Sequence, residues 1–177
     1  MVERILQWAN RSYGIRYACL RYFNAAGADH LLRSGEKHTP ETHLIPLALM
    51  AATGLSSKLT IFGNDYDTHD GTAVRDYVHV SDIASGHVRA MDALNTIECF
   101  EANIGTGRGN SVMEVVRSVE RVLGRSVPFD LAMRRDGDPA MLVANPEKFM
   151  KLTGWSPKYT NLDEIVETAF RWTNKSS

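Results

Sequence analysis

The chain has 177 residues, 44% of them hydrophobic and 23% charged, enough to bury a real core as one globular domain or parts of two. A net charge of -1 excludes a global field that would gather nucleic acid or an anionic membrane, so any anion must be held by local arginines or backbone amides and the expected ligand is small. Two cysteines, Cys19 and Cys99, exclude a disulfide framework and point to a reducing, cytosolic setting, and the longest apolar run, residues 44–52, is too short to span a bilayer.

Residues 1–10 carry Val2, Ile5, Leu6 and Ala9 on one helical face with no capping residue before them, so the sequence reads either as entering partway through a helix or as a frayed terminal one. Gly14 breaks the pattern. Residues 15–23, rich in aromatic and branched side chains, read as a strand covered on both faces of a parallel sheet, ending at Asn24-Ala25-Ala26-Gly27. Residues 29–42 are polar, hold Gly35 and Pro40, and read as a long loop of the kind that serves a site. A helix opens at His43-Leu44-Ile45-Pro46 and runs to about Thr53, with Gly54 as terminator. Its start can bind an anion; His43 itself fits core, cap or ligand contact. Residues 59–62 form a short strand and residues 63–71 a polar turn region.

The stretch 71–82 joins a strand to a helix start. Alternation sends Val74, Val78 and Val80 to a core face and Arg75, Tyr77 and His79 to a face that presents polar chemistry. Ser81 or Asp82 then caps a helix over 81–94 whose apolar residues are Ala84, Val88 and Met91. Residues 100–104 read as a buried strand. Gly105-Thr106-Gly107-Arg108-Gly109 follows, then a helix over 111–123 with a Ser111/Glu114 capping box. The third glycine of a dinucleotide loop would fall on Asn110 and no acidic residue completes that fingerprint, so turn chemistry is the preferred reading. A strand over 127–133, a charged turn over 134–139, a short helix over 146–152 stopped by Gly154, and a helix over 162–174 complete the chain. That last helix is capped by Asn161 and packs Ile165, Ala169 and Trp172.

Arg75 and the Arg134/Arg135 pair stand out because guanidinium forks match phosphate oxygens, and a diphosphate fits between them. Ordinary pairing with Asp76, Asp136 or Asp138 is the competing reading. His69, His79 and His87 show no ligand motif and read as turn, strand and helix-surface residues, so no metal is expected. Covalent catalysis has no foothold either, with no nucleophile elbow around a serine and no base adjacent to a cysteine.

The runs Leu20-Arg21-Tyr22-Phe23-Asn24-Ala25-Ala26-Gly27, His43-Leu44-Ile45-Pro46, Ile61-Phe62-Gly63-Asn64-Asp65-Tyr66 and Val74-Arg75-Asp76-Tyr77-Val78-His79-Val80 together resemble the UDP-glucose 4-epimerase family. Asn103-Ile104-Gly105, residues 134–138 and Gly154-Trp155 continue the match in the same order. The resemblance covers nearly the whole chain but only the C-terminal half of the family's length. It implies an α/β fold, the C-terminal part of a Rossmann-like parallel sheet plus a small α/β substrate-binding domain, with the N-terminal NAD-binding half absent.

Residue by residue, the resemblance implies that Phe23 lies beside the nicotinamide of NAD. Asn24, the backbone of His43 and Leu44, Arg75 and Arg135 would contact the substrate diphosphate, Thr60, Ile61 and Phe62 the uracil, and Asp138 the nucleotide-sugar hydroxyls. Leu142 falls where side-chain size limits the sugar C2 substituent. Such enzymes oxidise the sugar C4 hydroxyl, rotate the 4-keto sugar and return hydride to the other face. Their base is the tyrosine of Tyr-x-x-x-Lys; no tyrosine of this sequence has lysine four residues on, so no catalytic residue is assigned. Residues 1–3 would correspond to the helix just after that motif. The implied partner is a UDP-sugar, and the family pairs as homodimers through helices largely missing here. A non-catalytic UDP-sugar-binding remnant and a related dehydratase or decarboxylase are the alternatives, the Arg-Asp-Tyr-Val-His-Val run favouring an epimerase over the latter.

Overall fold

In the computed structural model, which describes residues 1–176, glycines in the left-handed conformation end most of the helices, as Gly14 (φ 68°) ends the first, α1 (Val2–Tyr13). In chain order there follow β1 (Tyr17–Tyr22), β2 (Asn24–Ala26), α2 (Leu44–Thr53), β3 (Leu59–Phe62), β4 (Val74–Arg75), β5 (Tyr77–His79) and α3 (Val80–Ala93). Then come β6 (Cys99–Ile104), β7 (Asn110–Ser111), α4 (Val112–Leu123), β8 (Phe129–Ala132), β9 (Met141–Leu142), α5 (Glu147–Thr153) and α6 (Leu162–Ser176). Residues 27–43 connect β2 to α2 without helix or strand, as expected of that polar segment. The Ser111/Glu114 capping box starts α4, and Asn161 Oδ1 accepts from the Asp163 amide at the head of α6.

Parallel pairing dominates. β1 runs beside β6 from Tyr17↔Cys99 to Tyr22↔Ile104, β2 beside β5, and β3 beside β8, while β4 lies between antiparallel β7 and parallel β9. The mixed α/β class with parallel strands is the expected one, delivered as four small sheets among the described residues. Single residues make the breaks. Phe23 separates β1 from β2 and Asp76 separates β4 from β5, and the two breaks meet where the Asn24 amide donates to the Asp76 carbonyl at 3.0 Å.

Two cores result. One gathers Ile45, Leu49, Ile61, Val115, Val119, Ile165 and Val166 from α2, β3, α4 and α6; the other gathers Ile83, Phe100, Ile104, Phe149 and Trp155 from α3, β6, α5 and the turn after it. β5 sits between them, with Tyr77 in the first core and Val78 in the second. Alternation along residues 74–80 is therefore real, but both faces are covered, as in a strand inside a parallel α/β layer. This corrects the expected polar face, since Tyr77 and His79 are buried.

Three further expectations change. Neither Ser81 nor Asp82 caps α3: His79 does, its Nδ1 accepting from the Ser81 amide at 3.1 Å, while buried Asp82 accepts the Lys158 and Tyr159 amides. The α3 face that packs is Ile83, Gly86 and Ala90, so Ala84, Val88 and Met91 lie in solvent, Val88 58% and Met91 70% exposed. Strand β1 is buried only at Tyr17 and α1 buries no residue, because a two-stranded pair offers the helix little to cover.

Candidate functional site

Strand β3 has one committed edge. The Leu59 amide donates to the Pro128 carbonyl and the Gly63 amide to the Ala132 carbonyl, both toward the β8 side. Backbone groups alternate along a strand, so those of Thr60 and Phe62 face the opposite edge, where no described strand pairs. Donor and acceptor groups spaced along such an edge can read a planar heterocycle that itself carries both. The Phe62 ring is half-buried, and the Arg135 guanidinium lies 4.0 Å above its centroid, an arrangement that aims the cation beside the strand. Arg134 turns away, bonding the Asp65 side chain at 2.6 Å and its carbonyl, with the Tyr66 ring 4.4 Å below.

A second cluster adjoins the first through one turn. The Asp138 amide donates to the Arg135 carbonyl, and the Asp138 carboxylate accepts from Arg75 Nη2 at 2.9 Å. The Arg75 side chain is only 12% exposed and its other Nη donates to the Val74 carbonyl, so the guanidinium is held in place. Leu142 stands opposite Arg75 in the β4–β9 register. The structure thus brings Phe62, Arg135, Asp138, Arg75 and Leu142 into one connected group. Of the competing pairings, the one with Asp138 is present and the one with Asp76 is not, so Arg75 already holds an ion pair within this group.

Asp76 has another task, which the sequence reading missed. Fully buried, its carboxylate accepts from the Thr106 amide and hydroxyl (3.0 and 2.6 Å), the Gly107 amide (3.0 Å) and the Ala144 amide (3.3 Å). A Cβ on Gly105 would stand 2.7 Å from Asp76 Oδ2, so glycine there lets the loop close on a carboxylate of its own chain. The glycine-rich segment serves a turn, and Asp76 ties it to the backbone that carries Arg75.

The remaining predicted residues lie on other elements. Phe23 is half-buried at the switch from β1 to β2, and exposed Asn24 follows it, joined to the Arg75 region through the Asp76 carbonyl. His43 is the N-cap residue of α2 and Leu44 its first helical residue. That helix has no acidic residue in its first turn and no side-chain cap, and Pro46 lacks an amide hydrogen. Its positive end is carried by the Leu44 and Ile45 amides. The His43 ring turns toward Glu36 and Glu41.

His79 is a positioning residue of the core. Its Nδ1 accepts from the Ser81 amide, so Nε2 carries the proton and donates to Thr168 Oγ1 at 3.1 Å; the ring stacks 3.9 Å from Tyr159. Burial pushes its pKa below the usual histidine range, only partly offset by Asp82. Among the described residues no helix is long and apolar enough to cross a membrane.

Comparison with known proteins gives a uniform result. The sequence model of the NAD dependent epimerase/dehydratase family matches residues 1–105. The chain is 46% identical over 172 residues to the UDP-glucose 4-epimerase of Halalkalibacterium halodurans, covering 97% of this chain and 52% of that protein. Among solved structures it is similar to UDP-glucose 4-epimerase from Brucella ovis in complex with NAD (48% identity, TM-score 0.91, covering 96% of this chain and 52% of that one). It is similar too to the Bifidobacterium longum enzyme in complex with NAD+ and UDP (36% identity, TM-score 0.89, 98% and 52%). The chain spans about half the length of the relatives it matches.

Proposed function

The chain belongs to the NAD dependent epimerase/dehydratase family, and from that premise we propose that it is the UDP-sugar-holding part of a UDP-glucose 4-epimerase acting on UDP-galactose and UDP-glucose in the cytosol. The observation that carries the reading is the connected group itself: an open β3 edge beside the Phe62–Arg135 stack, joined by one turn to the Arg75–Asp138 pair. Uracil reads the outward groups of Thr60 and Phe62, with Ile61 buried behind them. The diphosphate takes Arg75, Arg135, Asn24 and the amides at the start of α2 around His43 and Leu44, and Asp138 accepts from sugar or ribose hydroxyls. Leu142, opposite Arg75, borders the sugar at its C2 substituent, and its intermediate bulk leaves both plain and N-acetylated UDP-sugars open.

In this reading residues 1–177 are the remnant of a Rossmann-like sheet interleaved with the UDP-sugar domain, and the glycine-rich NAD loop and Tyr-x-x-x-Lys belong to the portion of the relatives outside the match. Fit to NAD on this chain rests on Phe23, which follows the carboxyl end of parallel strand β1, the end at which open α/β sheets bind ligands. Bound there, NAD supplies the acceptor and donor of the C4 hydride. The chain's own residues hold the nucleotide so that the sugar can turn without being lost. The apolar residues left in solvent on α1 and α3 support a further layer over that side.

UDP titrated into the purified chain by calorimetry tests the assignment. One-site binding that weakens in Arg75→Ala and Arg135→Ala is expected, together with no UDP-glucose from UDP-galactose when NAD alone is added. A folded chain that ignores UDP overturns the binding site, and turnover with NAD alone overturns the division of labour.

A further inference from the structure

The loop over residues 27–43 holds a cluster of side chains that the proposed nucleotide site does not use, His43 serving that site through its backbone alone. His38 Nδ1 and His43 Nδ1 converge on one oxygen, Glu36 Oε1, at 2.8 and 2.7 Å, and His43 Nδ1 also lies 2.9 Å from Glu41 Oε1. One donor atom from each of the four side chains falls within 4.8 Å of all the others. The sequence reading, which weighed His69, His79 and His87, did not find it, because the Glu36/His38/Glu41/His43 spacing matches no ligand motif it applied.

We propose that Glu36, His38, Glu41 and His43 form a binding site for a first-row divalent cation of the zinc type. Two imidazoles and two carboxylates are the mixed nitrogen and oxygen set that zinc accepts, and calcium or magnesium would call for oxygen alone. Donors around a tetrahedral zinc stand about 3.3–3.6 Å apart given metal–ligand distances of about 2.0–2.2 Å. The four atoms here already bracket that spacing, so small side-chain rotations admit an ion. With neutral imidazoles the set carries two negative charges, which one dication balances.

The backbone beneath these side chains is fixed. The Trp172 indole donates to the Glu36 carbonyl at 2.8 Å, and the tryptophan ring fills the space a Cβ on Gly35 would need. Lys175 Nζ donates to the Leu32 carbonyl, and Asp29 grips Arg33 through 2.6 and 3.0 Å bonds, pinning the loop's first half. His43 is fixed as the N-cap of α2. Glu41 Oε1 accepts the Thr42 and His43 amides at 2.7 and 2.8 Å. Partial burial works to raise the Glu41 carboxyl, but these bonds and the His43 ring outweigh it and hold the group ionised below the usual range. The histidine rings, 57% and 51% exposed, leave an entry path from solvent.

The test is zinc chloride titrated by calorimetry into the full chain after chelator treatment. One saturable site is expected. His38→Ala and Glu36→Gln, checked for fold by circular dichroism, should each weaken it about tenfold or more, since even loss of a hydrogen-bonding partner of a ligand costs about 10–100-fold. The His69→Ala control should leave it unchanged. Absence of saturable binding, equal affinity in the His38 and Glu36 variants, or equal weakening by His69→Ala would overturn the proposal.

Discussion

The two cores of this molecule are closed to different degrees. Around α2, α4 and α6 the apolar faces meet one another, and Leu49, Val115, Val119 and Val166 are sealed from solvent. Around β1 and β6, α3, α5 and the turn after it pack through Ile83, Phe149 and Trp155, while Val88, Met91, Tyr22 and Val2, Ile5 and Trp8 of α1 stand in water. Burial of apolar area drives both cores, so the second holds surface whose contribution is still unspent. An amphipathic pattern announces that a face wants cover; it does not say that the cover lies within the same chain. The proposed nucleotide group sits by the closed core, on β3, β4 and β9, and the bare surface borders the other.

The largest effect should come from Phe149→Ala. Phe149 is fully buried, 5.3 Å from the Trp155 ring and 6.4 Å from Phe100, and its loss should cost about 3–5 kcal/mol by denaturant unfolding. The comparison sharpens if hydrogen exchange in α2, α4 and α6 stays slow while β1 and β6 open, and it breaks if both cores open together. Next is Asp76→Ala, which leaves the Thr106, Gly107 and Ala144 amides without their carboxylate. A loss of about 2–3 kcal/mol is expected, with weaker UDP binding because Arg75 loses its footing.

His79 joins the two regions, its Nδ1 taking the Ser81 amide of α3 and its Nε2 giving to Thr168 of α6, and its effect depends on pH. Its folded pKa lies below the unfolded value near 6.5, so the unfolded chain takes up the proton more readily. That contribution is complete above pH 6.5 and is lost as pH falls toward the folded value. Denaturant midpoints at pH 7.5 and 5.5 should differ in the wild-type chain and differ less in His79→Gln. The smallest effect belongs to Val88→Lys with Met91→Lys, within about 0.5 kcal/mol because neither side chain is buried, with less aggregation by light scattering. A large loss there would show that the α3 surface is already covered.

Much of this was legible beforehand. The six helices of the described residues, the longer strands, the Ser111/Glu114 box and the helix ends at Gly54 and Gly154 follow from local chemistry and recur in the structure, while short strands β7 and β9 and the breaks at Phe23 and Asp76 were not read. Burial of Tyr77 and His79 was not, because period-two alternation cannot tell one covered face from two. The bare face of α3 escaped for the reason given above. Of the site, Arg75 and Arg135 were visible by residue type. The tie from Asp76 to residues 106, 107 and 144 was hidden, since it joins segments about 30 and 70 positions apart through one carboxylate whose sequence neighbour offered a simpler partner.

Hydrogen exchange read peptide by peptide, with and without saturating UDP, tests the central claim most directly. Protection rising over residues 43–47, 59–63, 74–76 and 132–142, with residues 17–22 unchanged, is the result predicted. Protection confined to the β1–β6 side, or absent although UDP is bound, would contradict it.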